Sequence, residues 1–134
     1  MKKIAFVLIL AAITISILPA CKKSKAETEP YLTVETTPAN KSNNLNILGP
    51  DFPLKVEITS VMPPKGVTIT VVANVDGSSG TPFFTATSSS STAPQNNYTI
   101  TGTPDGVTCR VSITVTSLST ATNVWKGYYL YSKK

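Results

Sequence analysis

The chain has 134 residues, of which 12 are Lys or Arg and 7 are Asp or Glu, so its formal net charge is +5. It contains no histidine, which removes the commonest general base and the commonest metal ligand. Arg110 is the single arginine, and this argues against a nucleic-acid-binding protein, whose basic surface normally offers arginine to base edges.

The first twenty residues have the pattern of an export signal. Lys2 and Lys3 precede the 17 uncharged residues 4–20, and Cys21 follows directly. A charged start, an apolar run and small residues at the end are typical of a cleaved signal. The run is at the short edge of the roughly 20 residues that a membrane-spanning helix needs, and Pro19 lies where such a helix should still continue. We therefore expect cleavage rather than an uncleaved anchor.

The end of this segment, Leu18-Pro19-Ala20-Cys21, resembles the lipobox of bacterial lipoproteins. The resemblance implies that the Cys21 thiol receives a diacylglyceryl group, that cleavage follows Ala20, and that the new amino end can be acylated as well. Two or more acyl chains anchor a protein stably in a membrane. An ordinary secretory signal with a chance cysteine is the alternative, but cysteine is scarce, with two in the whole chain.

The lipid predicts a location in the cell envelope. Lys22 follows Cys21 in place of an acidic residue, so the rule that retains lipoproteins at the inner membrane of enteric-type bacteria is not met. We therefore expect attachment to the outer membrane, with the periplasmic and the surface face both open.

These predictions divide the chain into three parts. Residues 1–20 are the signal peptide, residues 21–30 a polar, flexible tether, and residues 31–134 one folded domain of ordinary size. Loss of Lys2 and Lys3 lowers the formal charge from +5 by two, to +3. Three of the remaining lysines lie in the tether, so the domain itself is close to neutral.

The domain carries a period-two pattern from residue 31 to its end. Alternation is cleanest in residues 54–59, 67–75 and 108–117, where β-branched residues are dense and disfavour a helix. Residues 88–97, which include four consecutive serines, are predicted to be a mobile exposed loop. The pattern predicts seven or eight strands, at 31–35, 45–48, 54–59, 67–75, 83–87, 98–101, 108–117 and 123–132.

Strands that bury one face each, with turn signals between them, predict an all-β fold: a single antiparallel two-sheet β-sandwich. The count and size resemble an immunoglobulin-like or fibronectin type III-like domain. The segment 104–111 looks like the turn into strand F of a type III module. Cys109 occupies the place where that family usually has a tyrosine whose hydroxyl bonds to the backbone.

No group of residues predicts catalysis, and we expect no enzyme, no cofactor and no metal. Cys109 alternates with Val111 and Ile113, so it is predicted to lie in the core, where a thiol is inert. Asp76 and Asp105 could meet at one end of a sandwich, but two carboxylates are too few for a calcium site.

The aromatic residues of the last strand are the candidate ligand-binding site. Trp125, Tyr129 and Tyr131 share one parity. A bulge at Lys126-Gly127 would place Trp125 inward and expose Tyr129 and Tyr131, whose rings could then stack on a glycan or a partner protein. The alternative, which the pattern favours, is that these rings cover the edge of the sandwich and pack on the neighbouring strand.

The sequence thus predicts a membrane-anchored envelope lipoprotein whose β-sandwich is a non-catalytic interaction or structural module. A glycan-binding surface lipoprotein and an accessory subunit of a larger envelope complex are the alternatives. The expected partners are the membrane, through Cys21, and an envelope protein or glycan, but no nucleic acid.

Overall fold

The computed structural model describes residues 28–134. The predicted signal peptide, Cys21 and most of the predicted tether lie outside the described residues. Within that range the chain forms eight strands and no helix. The strands are β1 Val34–Thr37, β2 Asn43–Ile47, β3 Phe52–Ile58, β4 Val67–Val75, β5 Phe84–Ser91, β6 Gln95–Ile100, β7 Thr108–Ser117 and β8 Val124–Lys133.

The strands form two sheets, which confirms the predicted β-sandwich. One sheet has the order β1-β3-β6 and the other the order β2-β8-β7-β4-β5. All strand pairs are antiparallel except β2 with β8, which run parallel.

The core lies between the sheets and is built from the alternating residues that the sequence predicts. On the larger sheet, β4 pairs with β7 without interruption, from Val67 opposite Ser117 to Val75 opposite Cys109. The inward residues of these strands and of β3 are essentially inaccessible to solvent; they are Leu54, Val56, Ile58, Val67, Ile69, Val71, Ala73, Cys109, Val111, Ile113 and Val115. Each fully buried aliphatic side chain contributes about 1.5–3 kcal/mol.

The structure differs from the sequence prediction in the serine-rich stretch. β5 extends through Ser91 and β6 begins at Gln95, so the predicted loop over 88–97 shrinks to the residues between them. Ser88 pairs with Ile69 and Ser91 with Val67. Both strands lie at sheet edges, where backbone pairing to one neighbour suffices and an alternating apolar face is not required.

Glu29 and Pro30, at the end of the predicted tether, are bonded to the domain. The Asn123 Nδ2 atom donates hydrogen bonds to the Glu29 carboxylate (2.6 Å) and to the Pro30 carbonyl (2.9 Å). A side chain 93 residues away therefore binds the chain before the first strand begins.

Candidate functional site

The last strand places its aromatic residues differently from the bulge hypothesis. β8 pairs with β7 in unbroken register, from Val124 opposite Thr116 to Ser132 opposite Thr108. Without a bulge at Gly127 the inward parity does not change along the strand. Tyr129 and Tyr131 are each 1% exposed and belong to the core, so the prediction that they are exposed is wrong. Packing on the neighbouring strand, the favoured alternative, is what the structure shows.

Gly127 has another role than a bulge. It lies on the inward face between Trp125 and Tyr129, and the half-buried Trp125 indole covers it. A Cβ atom at Gly127 would overlap the indole and lie 2.9 Å from Asn40 Oδ1. That Asn40 oxygen accepts a hydrogen bond from the Tyr128 backbone at 3.0 Å. Glycine is therefore required at position 127 so that the Trp125 indole can approach the backbone closely, and Trp125 is a packing residue.

We expect Gly127→Ala to lower the free energy of unfolding by about 2 kcal/mol, because the added methyl group overpacks the inward face beside the indole. Urea denaturation followed by far-UV circular dichroism measures this loss. In a Trp125→Ala background the same change should cost clearly less, since the main overlap is gone. Equal costs in the two backgrounds would show that the indole does not restrict this position.

The outward face of β8 and β7 carries the accessible aromatic ring. Tyr128 is half-buried, and the Arg110 guanidinium lies over its ring at 4.2 Å from the centroid. Arg110 also bonds Asp76 at 2.9 Å. The hydrogen bond to this carboxylate is the main reason why the pKa of Arg110 is raised. Sequence parity alone did not single out Tyr128, because its contact with Arg110 depends on the β7–β8 register.

A crevice opens on one side of the sandwich, where β1 leaves β3. The last pair is Thr37 with Lys55, so residues 52–54 of β3 have no neighbour on that side. The crevice has a volume of about 570 Å³, within the range of roughly 300–1,000 Å³ typical of ligand sites. Its lining is mainly apolar and includes Pro38, Ile47, Phe52, Leu54, Tyr129 and Tyr131. The last four of these are almost completely buried and offer little surface to a ligand.

The two tyrosines that contribute to this crevice differ in their hydroxyl groups. Tyr131 forms a hydrogen bond of 2.6 Å with Thr103, and burial raises its pKa to about 12. Its ring also packs on Phe52, with 4.8 Å between the centroids. The Tyr129 hydroxyl is buried with no hydrogen-bond partner in the described part of the protein, and burial raises its pKa even further. Both rings are neutral core groups at physiological pH.

The remaining reactive groups are engaged structurally. Cys109 is completely buried, and burial raises the pKa of its thiol. Asp76 pairs with Arg110, and Asp105 pairs with Lys133 at 2.8 Å. Across residues 28–134 no three His, Cys, Asp or Glu side chains lie close enough to hold a metal ion.

Comparison with known proteins yields no relative: no family model, no curated protein and no solved structure matches the chain. In the range that the structure covers, none of the secondary-structure elements is a helix with the length and hydropathy needed to cross a bilayer.

Proposed function

We propose that this protein is a cell-envelope lipoprotein, anchored in a membrane by lipid on Cys21, whose β-sandwich is a non-catalytic interaction or structural module. The observation that carries the proposal is the sequence Leu18-Pro19-Ala20-Cys21 at the end of a charged and then apolar leader. The position of the sandwich supports it, because the first fixed contact of the domain, at Glu29, follows within eight residues of the anchor cysteine.

The side chains of the domain support a binding role over catalysis. The one thiol of the domain lies in the core, and the carboxylates of Asp76 and Asp105 are paired with cations. A catalytic nucleophile is commonly activated by an adjacent base, and the chain has no histidine to serve as one. The stacking surface that glycan binding would need at Tyr129 and Tyr131 is absent, since both rings are buried.

An accessory subunit of an envelope complex is the second candidate. It is favoured by the crevice beside β3, whose apolar lining and open mouth suit a partner segment. The outer face of the larger sheet, with Tyr128 and Arg110, is a second contact surface. Mild cross-linking in cells, followed by purification of the lipoprotein, would identify such a partner.

We expect Cys21→Ser to move the protein from the membrane fraction to the soluble or secreted fraction, because the thioether to the lipid can no longer form. Cell fractionation and detergent phase partitioning measure the change. Cys109→Ala is the matched control: it removes the other cysteine and should leave the protein with the membrane. If Cys21→Ser remained membrane-bound to the same extent as wild type, lipid anchoring at this residue would be refuted.

A further inference from the structure

The end of the sandwich at which the described chain begins is built from three segments, which we call the tether end: residues 28–33, the β3–β4 loop 59–66 and the β7–β8 loop 118–123. They are in direct contact. The Lys65 backbone N–H bonds the Ser119 hydroxyl at 3.0 Å, and the Leu118 N–H bonds the Gly66 carbonyl at 3.0 Å. The tether end is therefore one continuous surface.

The chain leaves this surface at a fixed point. Besides its bond to Asn123, the Glu29 carboxylate accepts a hydrogen bond from Thr120 (3.2 Å). The nearby Ser117 hydroxyl is the largest cause that lowers the Glu29 pKa, and the bonds from Asn123 and Thr120 add to it. Asn123 Oδ1 in turn accepts the Leu32 backbone N–H at 3.0 Å. Whatever precedes residue 28 thus departs from the tether end.

Large apolar side chains of the tether end are exposed to solvent. Tyr31 is 87% exposed, Val61 71% and Leu118 39%. They come from all three segments, and nothing in the described part of the chain covers them. Surface apolar residues need no explanation singly, but several at one end of a small domain indicate an interaction surface.

We propose that the tether end lies against the lipid bilayer that holds Cys21, with Tyr31, Val61 and Leu118 in the headgroup region. This inference rests on the proposed lipid anchor. Cys21 precedes Thr28 by seven residues, which span at most about 25 Å when extended. The tether end is consequently the part of the domain that the anchor holds nearest to the membrane.

The chemistry of the surface fits a bilayer. Tyrosine is enriched at membrane–water interfaces, where its ring is in the apolar layer and its hydroxyl in water. Lys22, Lys23 and Lys25 follow Cys21 in the sequence, and each basic residue near an anionic surface contributes about 1 kcal/mol. The three aspartates, Asp51, Asp76 and Asp105, lie in turns or beside strand ends at the opposite end of the sandwich. Glu29 is the acidic residue of the tether end, and its carboxylate is held by hydrogen bonds from Asn123 and Thr120.

Exposed apolar side chains alone do not identify the end that faces the membrane, because Leu48 at the opposite end of the sandwich is 77% exposed. The tether end is identified by the point at which the chain toward Cys21 leaves the domain. Leu48 therefore provides the matched control for Val61: both are exposed aliphatic residues in loops, at opposite ends of the same sandwich.

The test uses the full lipidated protein, carrying Cys109→Ala and either Val61→Cys or Leu48→Cys labelled with an environment-sensitive fluorophore. The protein is reconstituted into vesicles of phosphatidylethanolamine and phosphatidylglycerol, with and without doxyl-labelled lipid. We expect a blue-shifted emission and several-fold stronger doxyl quenching for the label at position 61 than for the label at position 48.

Each other outcome overturns the inference in a recognisable way. Equal quenching at both positions, or none at either, would show that the tether end is not oriented toward the bilayer although the lipid anchor holds. A blue shift at position 61 that doxyl lipid does not quench would indicate a second copy on this surface. Failure of the wild-type protein to float with the vesicles would instead refute the lipid anchor itself.

Discussion

Replacing Tyr129 by alanine should lower the free energy of unfolding by about 4 kcal/mol, the range for removing a large aromatic ring from a core. The ring is 1% exposed, lies opposite Val111 and packs on Tyr131 with 6.0 Å between the centroids. Its removal leaves a cavity beside the crevice at the edge of the sandwich. Urea unfolding monitored by tryptophan fluorescence and by circular dichroism gives the change in stability.

Two phenylalanine variants separate the ring from its hydroxyl. Tyr129→Phe should be neutral or slightly stabilising, because the removed hydroxyl is buried without a partner among residues 28–134. Tyr131→Phe should cost about 1 kcal/mol, because it removes the bond to Thr103. If Tyr129→Phe proved the more costly of the two, the Tyr129 hydroxyl would have a partner that the structure does not show.

We expect Gly66→Ala to cost about 3 kcal/mol, since backbone strain and overlap act together. Gly66 has φ of +81°, a conformation that side chains other than glycine rarely adopt. An added Cβ would also lie 2.5 Å from the Ser91 carbonyl oxygen, which belongs to the backbone of β5 and cannot move away easily. Thermal and urea unfolding of the purified domain measure the effect.

Gly77→Ala is the matched control for this change. Gly77 has a similar φ of +74°, but a methyl group added there would meet no atom of the described chain within 4 Å. Strain alone should therefore cost only about 1 kcal/mol at this position. Similar losses at Gly66 and Gly77 would mean that the contact with β5 contributes nothing, and that β5 does not approach the β3–β4 turn closely.

The central strands could be predicted from sequence because each follows a simple rule. β4 and β7 alternate branched apolar and polar residues over nine or ten positions, and burying one face of such a segment permits only one register. The inward position of Cys109 follows from the same parity, and the structure confirms it with zero exposure.

The edge strands could not be predicted equally well, because their sequences carry no such pattern. In β5 the segment 88–91 is serine throughout, yet it is held in the sheet by pairing to β4. Composition suggested a loop, whereas backbone hydrogen bonds to a neighbour distant in sequence formed a strand. Pairing with the rest of the fold decides whether such a segment is a strand or a loop, and the local sequence pattern carries no information about that pairing.

Two features of the candidate site, the inward parity of β8 and the crevice, could not be predicted from the sequence for the same reason. Both parities of β8 carry large side chains, and the inward one is set by pairing with β7 and by the fit of the Trp125 indole over Gly127. The crevice exists because β1 leaves β3 after Thr37. Neither feature has a signal in the local sequence, since both result from how separate strands meet.

Lipid attachment at Cys21 is tested most directly by the intact mass of the mature protein purified from membranes of its native host. We expect a chain that begins at residue 21 and carries the added mass of a diacylglyceryl group, with or without a further acyl chain on the amino end. A protein that still begins with Met1, or one whose residue 21 has a free thiol, would contradict it.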